Sequence, residues 1–212
     1  MSGIVIADYG VGNIFSVYHA FEAIGAEAVV AKDASDLRTA DRVVIPGVGD
    51  FATCMERLDR QGFRDEVLAF AETERPLLGI CVGMQMLFDS SAENGQTPGL
   101  GLMAGTVERI PETAVNGVRV KYPNTGWTSI VPPDGGDWDG SLLAGLGAGD
   151  AMYFMHGYVP SPSDPADTLA TFSFHGHRLT AAARRGNLTG VQFHPERSAR
   201  TGLSLLSRFA DL

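Results

Sequence analysis

The sequence is poor in the residues on which nucleic-acid binding and disulfide-stabilised folds depend. Of its 212 residues only two are lysine and two are cysteine, and 25 acidic residues outnumber 16 Lys and Arg, giving a formal net charge of −9 at pH 7. Contacts to nucleic-acid phosphates need clustered basic side chains, so we expect no nucleic-acid partner. Two cysteines do not make a disulfide framework, and we expect Cys54 and Cys81 to be reduced thiols, as in cytosolic proteins.

Membrane features are also missing. The sequence has no apolar run of the about 20 residues that a membrane-spanning helix needs. Its first residues are typical of a β-strand and lack the basic leader and cleavage site of a signal peptide. We therefore expect a cytoplasmic protein that does not bind membranes. At 44% hydrophobic and 19% charged residues the composition is ordinary for a globular protein, and the length suits a single domain over residues 1–212.

Short apolar runs alternate with amphipathic segments in the first half of the chain, which is the pattern of βαβ units. Predicted strands cover residues 3–7, 27–31, 42–45, 77–80, 106–110, 117–122, 150–154, 169–174, 178–183 and 188–193, and predicted helices cover 14–24, 51–58, 63–74 and 202–210. Residues 89–99 and 132–140 are predicted loops. The pattern predicts a flavodoxin-like α/β fold, an open and mostly parallel sheet with helices on both faces and a small antiparallel addition.

One stretch, residues 76–87, places a single cysteine between a strand pattern and the start of a helix. Gly79 and Gly83 stand two residues before and two residues after Cys81. We predict a strand over 77–80, a helix start over 84–88, and Cys81 on the tight turn between them, the position of the serine in a nucleophile elbow. Glycine has no Cβ and lets strand and helix pass closely. The unpaired N–H groups of the helix N-terminus would favour a thiolate there.

A buried core thiol is the plain alternative, because free cysteine is among the most buried residue types. A second segment favours catalysis: a strand-like run ends in His194 and Glu196, two residues apart, which project to the same side of an extended backbone. Pro195 keeps His194 out of the helical conformation. A cysteine, a histidine base and a carboxylate that orients the base form the thiol version of the catalytic triad.

These motifs and others along the chain resemble those of the class I glutamine amidotransferases. The resemblance runs from Ile4 to Phe209, and within the family it is closest to the glutaminase subunits of imidazole glycerol phosphate synthase, which act in histidine biosynthesis. The residues that carry it are Asp8-Tyr9-Gly10-Val11-Gly12-Asn13, Pro46-Gly47-Val48-Gly49, Gly79-Ile80-Cys81-Val82-Gly83-Met84-Gln85, Gly126-Trp127 and Gln192-Phe193-His194-Pro195-Glu196-Arg197-Ser198.

The resemblance implies an enzyme that hydrolyses L-glutamine to glutamate and ammonia with neither a cofactor nor a metal. Cys81 would be the nucleophile, His194 the general acid and base, and Glu196 the carboxylate that orients the imidazole. The N–H groups of Val82 and Gly49 would form the oxyanion hole. The residues expected to hold the substrate are Gly47, Val48, Gln85, His156, Gly157 and Tyr158.

The resemblance also implies a partner that uses the ammonia. In this family the partner is a (β/α)₈ barrel cyclase that receives ammonia through a channel, so we expect a heterodimer that makes imidazole glycerol phosphate and AICAR. Pro123, Asn124 and Trp127 would lie at the interface. The loop over 122–128 departs from the family's Val-Pro-His-(Met or Ile)-Gly-Trp-Asn, and Gly157 stands where these relatives usually have serine. A paralogue that feeds sugar or secondary-metabolite amidation is the alternative, and a stand-alone thiol hydrolase is a further one.

Three other features have simpler explanations than a functional site. The segment 10–12 lacks the third glycine of a dinucleotide-binding fingerprint, because Phe15 occupies that position. His175 and His177 could bind a metal, but they lie at a predicted hairpin turn without a third ligand nearby. Cys54 has no flanking glycines, and we interpret it as a packed or surface thiol of a helix, dispensable for catalysis.

Overall fold

The computed structural model describes residues 3–134, 136–147 and 149–212. The strands are β1 (Ile4–Ala7), β2 (Ala28–Ala31), β3 (Arg42–Gly47), β4 (Leu77–Cys81), β5 (Phe88–Ser91), β6 (Thr97–Pro98), β7 (Met103–Arg109), β8 (Asn124–Val131), β9 (Ala151–His156), β10 (Tyr158–Pro162), β11 (Thr168–Phe174), β12 (His177–Arg185) and β13 (Leu188–Val191). The helices are α1 (Ile14–Ala23), α2 (Phe51–Arg60), α3 (Phe63–Ala71), α4 (Val82–Gln85) and α5 (Ala199–Ala210), and 3₁₀ turns cover Ala34–Thr39, Pro165–Asp167 and Pro195–Arg197.

The strands form two sheets. The larger has nine strands in the order β2-β1-β3-β4-β13-β12-β11-β8-β9. Its first five strands are parallel neighbours, and the other four are added by antiparallel pairing. The smaller sheet has the order β10-β7-β5-β6. The predicted α/β fold, a parallel sheet with helices and an antiparallel addition, is confirmed.

Three neighbouring parallel strands bring the candidate site together. β3 ends at Gly47, β4 ends at Cys81, and β13 ends at Val191, shortly before His194. Gly47 and Cys81 are partners in the register of β3 and β4. All five residues of β4 are buried, as expected for a strand covered on both faces of a parallel sheet. Ligand sites of open α/β sheets lie at the carboxyl ends of the strands, so the topology alone predicts a ligand site at this edge.

Helix α2 begins immediately after the turn that ends β3. Asp50 caps it by accepting a hydrogen bond from the N–H of Thr53 at 2.9 Å, which satisfies one of the free donors of the first turn. Its buried residues recur at helical spacing and are Phe51, Cys54, Met55 and Leu58. On this buried face, the thiol of Cys54 lies 3.3 Å from the carbonyl oxygen of Val48, in the turn that ends β3.

Several sequence predictions differ from the structure. Within the described residues 117–122 form no strand beyond an isolated bridge between Thr113 and Arg119, and the strand begins instead at Asn124. The helix after Cys81 starts at Val82 and ends after one turn, because Phe88 already belongs to β5. The predicted loop 89–99 contains most of β5 and all of β6.

The missed strands β5 and β10 are short and are defined by distant partners. β5 pairs with β7 in parallel, and a strand of four residues is too short to show the alternation on which prediction relies. β10 contains Pro160 and Pro162, which argue against a strand. It lies at the edge of the smaller sheet and pairs only with β7, so each proline can sit without interrupting a second ladder.

Candidate active site

Cys81 has a strained backbone conformation at the junction of β4 and α4. Its φ of 56° and ψ of −112° lie outside the regions that residues with a side chain adopt readily, and such strain is concentrated at functional sites. The flanking glycines are required by close contacts. A Cβ on Gly83 would lie 1.9 Å from the carbonyl oxygen of Ile45, and a Cβ on Gly79 would lie 2.6 Å from that of Gly83. The predicted turn between strand and helix is therefore present, with Cys81 on it.

His194 and Glu196 form a buried pair, and His194 lines the same cavity as Cys81. Nδ1 of His194 lies 2.8 Å from Oε1 of Glu196, and their side chains are 6% and 0% exposed. Burial by itself would lower the pKa of His194, but hydrogen bonds to Cys81 and Glu196 raise it to about 10. The imidazole therefore carries a proton at neutral pH, which it can deliver to a leaving group.

The backbone that holds this pair differs in part from the prediction. His194 is extended, with φ −99° and ψ 97°, as the proline after it requires. Glu196 lies in the 3₁₀ turn Pro195–Arg197, so the two side chains do not meet as alternate residues of a strand. The turn folds the carboxylate back onto the imidazole. Oγ of Ser198 stabilises it by donating to the carbonyl of His194 at 2.6 Å and accepting from the N–H of Tyr153 at 3.0 Å.

Two buried amide side chains connect the nucleophile to the opposite wall of the site. Nε2 of Gln192 lies 3.7 Å from Sγ of Cys81 and can donate to it. Oε1 of Gln192 accepts from Nε2 of Gln85 at 3.1 Å, and the same nitrogen donates to the carbonyl of Tyr158 at 3.0 Å. A role in substrate binding was predicted from the sequence for Gln85 but none for Gln192. A glutamine inside an otherwise apolar strand-like run was the available signal.

The turn after β3 lies against the elbow. A Cβ on Gly47 would lie 2.5 Å from the backbone nitrogen of Gly83, so only glycine fits there. Val48 and Gly49 line the cavity beside Cys81. Gly49 has a φ of 93°, in the left-handed region that favours glycine. The two predicted oxyanion donors, the N–H groups of Val82 and Gly49, thus lie on adjacent segments of one site.

Strand β9 ends in a neutral histidine, His156. Burial lowers the pKa of His156 to about 4. Its Nδ1 lies 2.8 Å from the carbonyl oxygen of Tyr158, and its Nε2 lies 3.1 Å from Nδ2 of Asn124. A Cβ on Gly157 would lie 2.2 Å from Oη of Tyr122. Tyr122 therefore fills the space that a side chain at 157 would need. This contact explains why the chain departs from the histidine-pathway relatives at both positions, with Tyr122 in place of valine and Gly157 in place of serine.

The residues expected at a partner surface do not all face outward. Trp127 is 55% exposed, and Pro123 is exposed too. Asn124 is 8% exposed and is hydrogen-bonded to His156. The reason is the alternation along β8, because residues three apart in a strand project to opposite faces. Asn124 therefore supports His156 inside the fold, which corrects its assignment to the partner surface.

These groups surround a cavity of about 350 Å³, a volume suited to a small metabolite. The cavity is lined by Gly12, Asn13, Val48, Gly49, Cys81, Val82, Gln85, Glu93, Met155, His156, Gly157, Tyr158, His194 and Arg197. Glu93 and Arg197 bring opposite charges to it, and the sequence alone predicted no role for either side chain. The carboxylate of Glu93 accepts from the N–H of Phe51 at 2.8 Å, and the guanidinium of Arg197 lies over the ring of Tyr153 at 4.5 Å.

The candidate metal-binding and dinucleotide-binding motifs have other roles in the structure. Nε2 of His177 lies 2.7 Å from the carbonyl oxygen of Thr113, and the described residues contain no group of three His, Cys, Asp or Glu side chains that could hold a metal ion. Gly12 lines the cavity with its Cβ position 3.2 Å from Pro46. Among the described segments, no helix combines the length and the apolar character needed to cross a membrane.

Both the sequence and the fold are similar to those of known proteins. The chain matches the Glutamine amidotransferase class-I family over residues 5–211. It is 38% identical to imidazole glycerol phosphate synthase subunit HisH 1 of Legionella pneumophila (strain Lens) over 213 residues that cover 100% of both chains. It is 41% identical to subunit HisH of Aromatoleum aromaticum, with 99% of this chain and 98% of that one covered.

A solved structure supports the fold. A glutamine amidotransferase crystal structure superposes with a TM-score of 0.73 at 21% identity and covers 99% of this chain and 98% of that chain. Family match, relatives and fold agree with the strained Cys81 and its buried histidine. The chain therefore belongs to the class I glutamine amidotransferase family.

Proposed function

We propose that this protein hydrolyses L-glutamine to glutamate and ammonia and supplies the ammonia to a synthase subunit, most specifically that of imidazole glycerol phosphate synthase in histidine biosynthesis. The observation that carries the proposal is the buried His194–Glu196 pair, whose imidazole lines a small cavity together with Cys81. The names of the relatives supply the pathway. We propose that residues 1–212 form one domain that carries this activity.

The chemistry follows from the proton on His194. The Cys81 thiolate adds to the carbonyl carbon of the glutamine side chain, and the oxygen becomes an oxyanion that the N–H groups of Val82 and Gly49 stabilise. The C–N bond then breaks, the nitrogen takes the proton of His194, and ammonia leaves a glutamyl thioester. His194 next removes a proton from water, which attacks the thioester and releases glutamate and the thiolate. Glu196 keeps the imidazole oriented and balances its charge.

The charges of the cavity fit an α-amino acid. A carboxylate and a guanidinium, those of Glu93 and Arg197, line the same cavity as the nucleophile, and a zwitterionic substrate presents an ammonium and a carboxylate at one end. We propose that Glu93 binds the ammonium. Gln85, whose amide nitrogen is already used by Gln192 and Tyr158, has its oxygen left to accept from the substrate.

The partner is proposed to cover the mouth of the cavity. Val48 and Met155 line the cavity and are 39% and 54% exposed. Trp127, whose ring packs on that of Tyr153, is 55% exposed. Apolar side chains at a site that must deliver a volatile product favour an interface over open solvent. The proposed occupant is a (β/α)₈ barrel cyclase in a heterodimer that makes imidazole glycerol phosphate and AICAR.

The test measures glutamate released from glutamine by the purified chain with the candidate cyclase and its nucleotide substrate. Turnover that is lost in His194→Ala and kept in His19→Ala, a change at an exposed histidine, supports the proposal. Hydrolysis of peptides or thioesters in preference to glutamine would identify a stand-alone thiol hydrolase. Glutamine hydrolysis that no cyclase stimulates would indicate a paralogue serving another amidation.

A further inference from the structure

Two buried side chains outside the triad bind the backbone of the Pro46–Gly49 turn. The hydroxyl of Tyr9 donates to the carbonyl of Pro46. The thiol of Cys54 donates to the carbonyl of Val48, with a sulfur–oxygen distance of 3.3 Å. Both side chains are 0% exposed, and Cys54 reaches the turn from α2, the helix that follows it.

Both groups hold their protons at neutral pH and can act as donors. Burial raises the pKa of Tyr9 well above its ordinary value and raises the pKa of Cys54 to about 12. A thiol that is protonated and fully buried is a poor nucleophile. Cys54 is therefore available as a hydrogen-bond donor and not as a second reactive thiol.

The bond to Cys54 determines how the next peptide unit is oriented. The carbonyl of Val48 and the N–H of Gly49 belong to one planar trans unit and point in opposite directions. Cys54 lies in the core, whereas Val48 and Gly49 line the cavity. A carbonyl held on Cys54 is turned away from the cavity, so the N–H of Gly49 is turned toward it. Tyr9 fixes the preceding end of the same turn at Pro46.

We propose that Tyr9 and Cys54 are positioning residues that hold the Pro46–Gly49 turn with the N–H of Gly49 directed at the oxyanion of the reaction. This rests on the proposed glutaminase function. It revises the sequence-based interpretation of Cys54 as dispensable for catalysis. Glycines on both sides of Val48 make rotation of the turn sterically easy, so side-chain anchors are needed to favour one orientation.

The effect of Tyr9 or Cys54 on kcat is limited by the free energy of the one hydrogen bond that each makes with the turn. Losing a neutral hydrogen bond shifts an equilibrium by about two- to tenfold, and losing an oxyanion donor altogether costs about 10²–10³ in rate. Cys54→Ala and Tyr9→Phe should therefore each lower kcat for glutamine about two- to tenfold, with KM changed less than twofold. Cys54→Ser keeps an O–H donor in the same place and should retain near wild-type kcat.

The experiment measures kcat and KM for glutamine in the complex with the synthase partner, together with the rate at which iodoacetamide alkylates Cys81. Alkylation needs the thiolate but no oxyanion donor, so it should be unchanged in Cys54→Ala and Tyr9→Phe. The double variant should lose less than the product of the two single losses, because both anchors hold one turn.

Wild-type kcat in both single variants would overturn this proposal alone. An equal loss in Cys54→Ser and Cys54→Ala, or an alkylation rate that falls in parallel with kcat, would also overturn it, since the cause would then be packing at the elbow. If Cys54→Ala does not fold, Tyr9→Phe decides, because it removes only the hydroxyl. A wild-type complex that releases no glutamate from glutamine would overturn the proposed function together with this one.

Discussion

Replacing Glu196 by glutamine tests the arrangement of the triad most directly. The substitution keeps the size of the side chain and removes the negative charge 2.8 Å from Nδ1 of His194. Because both side chains are almost fully buried, solvent screens this pair little. A hydrogen bond to a charged group contributes about 1.5–3 kcal/mol, so turnover should fall about 10- to 150-fold. His194→Ala should lose more, since it removes the proton donor itself.

The pH profile distinguishes orientation from a general loss of structure. In the wild type, hydrogen bonds to Cys81 and Glu196 raise the pKa of His194 to about 10. The leaving ammonia takes its proton from His194, so activity should persist in alkaline solution until that proton is lost. Removing the carboxylate removes one cause that raises the pKa. The imidazolium of Glu196→Gln should then lose its proton at a lower pH, and the alkaline limb should move toward neutrality.

The assay is kcat/KM for glutamine between pH 6 and 10 for wild type and Glu196→Gln, with thermal unfolding as the check on folding. An alkaline limb at the same pH in both proteins would refute the coupling of Glu196 to His194. A loss as large as that of His194→Ala would show that the carboxylate does more than orient and stabilise. Unchanged turnover would remove Glu196 from the catalytic group.

Three further predictions concern the product, the packing and the control of the site. Cys81→Ala should abolish glutamine hydrolysis while the partner still works on added ammonium salt; loss of both activities in an assembled complex would contradict the division of labour. Gly157→Ser should overpack against Tyr122 and lower the free energy of unfolding by about 1–3 kcal/mol, which lowers Tm by about 2–12 °C. Adding Tyr122→Val to this variant should restore most of the lost Tm, and additive losses of Tm would show that the contact does not explain Gly157. The isolated chain should hydrolyse glutamine slowly, and the cyclase with its nucleotide ligand should accelerate it by favouring the active conformation; full activity of the chain alone would contradict control by the partner.

Much of the fold and of the triad could be predicted because the signals are local. Gly79 and Gly83 flank Cys81 at the spacing of a tight turn between strand and helix. Pro195 holds the backbone of His194 extended, and long apolar or amphipathic runs identify the parallel strands and most helices. Each of these features depends on residues within a few positions, so a linear sequence displays it.

Other features depend on contacts between residues far apart in the chain. β5 and β10 become strands because β7 pairs with them. Burial of Asn124, and the fit of Gly157 to Tyr122, follow from how β8 and β9 meet.

The sequence by itself therefore determined which residues could perform the chemistry and that Cys81 lies on a tight turn between a strand and a helix. The tertiary structure decided how these residues are supported. Gln192 contacts Cys81 from 111 positions away, and Cys54 contacts the turn of Val48 only because α2 packs beneath it. Hydrogen bonds across such packing depend on distances of a few tenths of an ångström, which local sequence patterns do not encode.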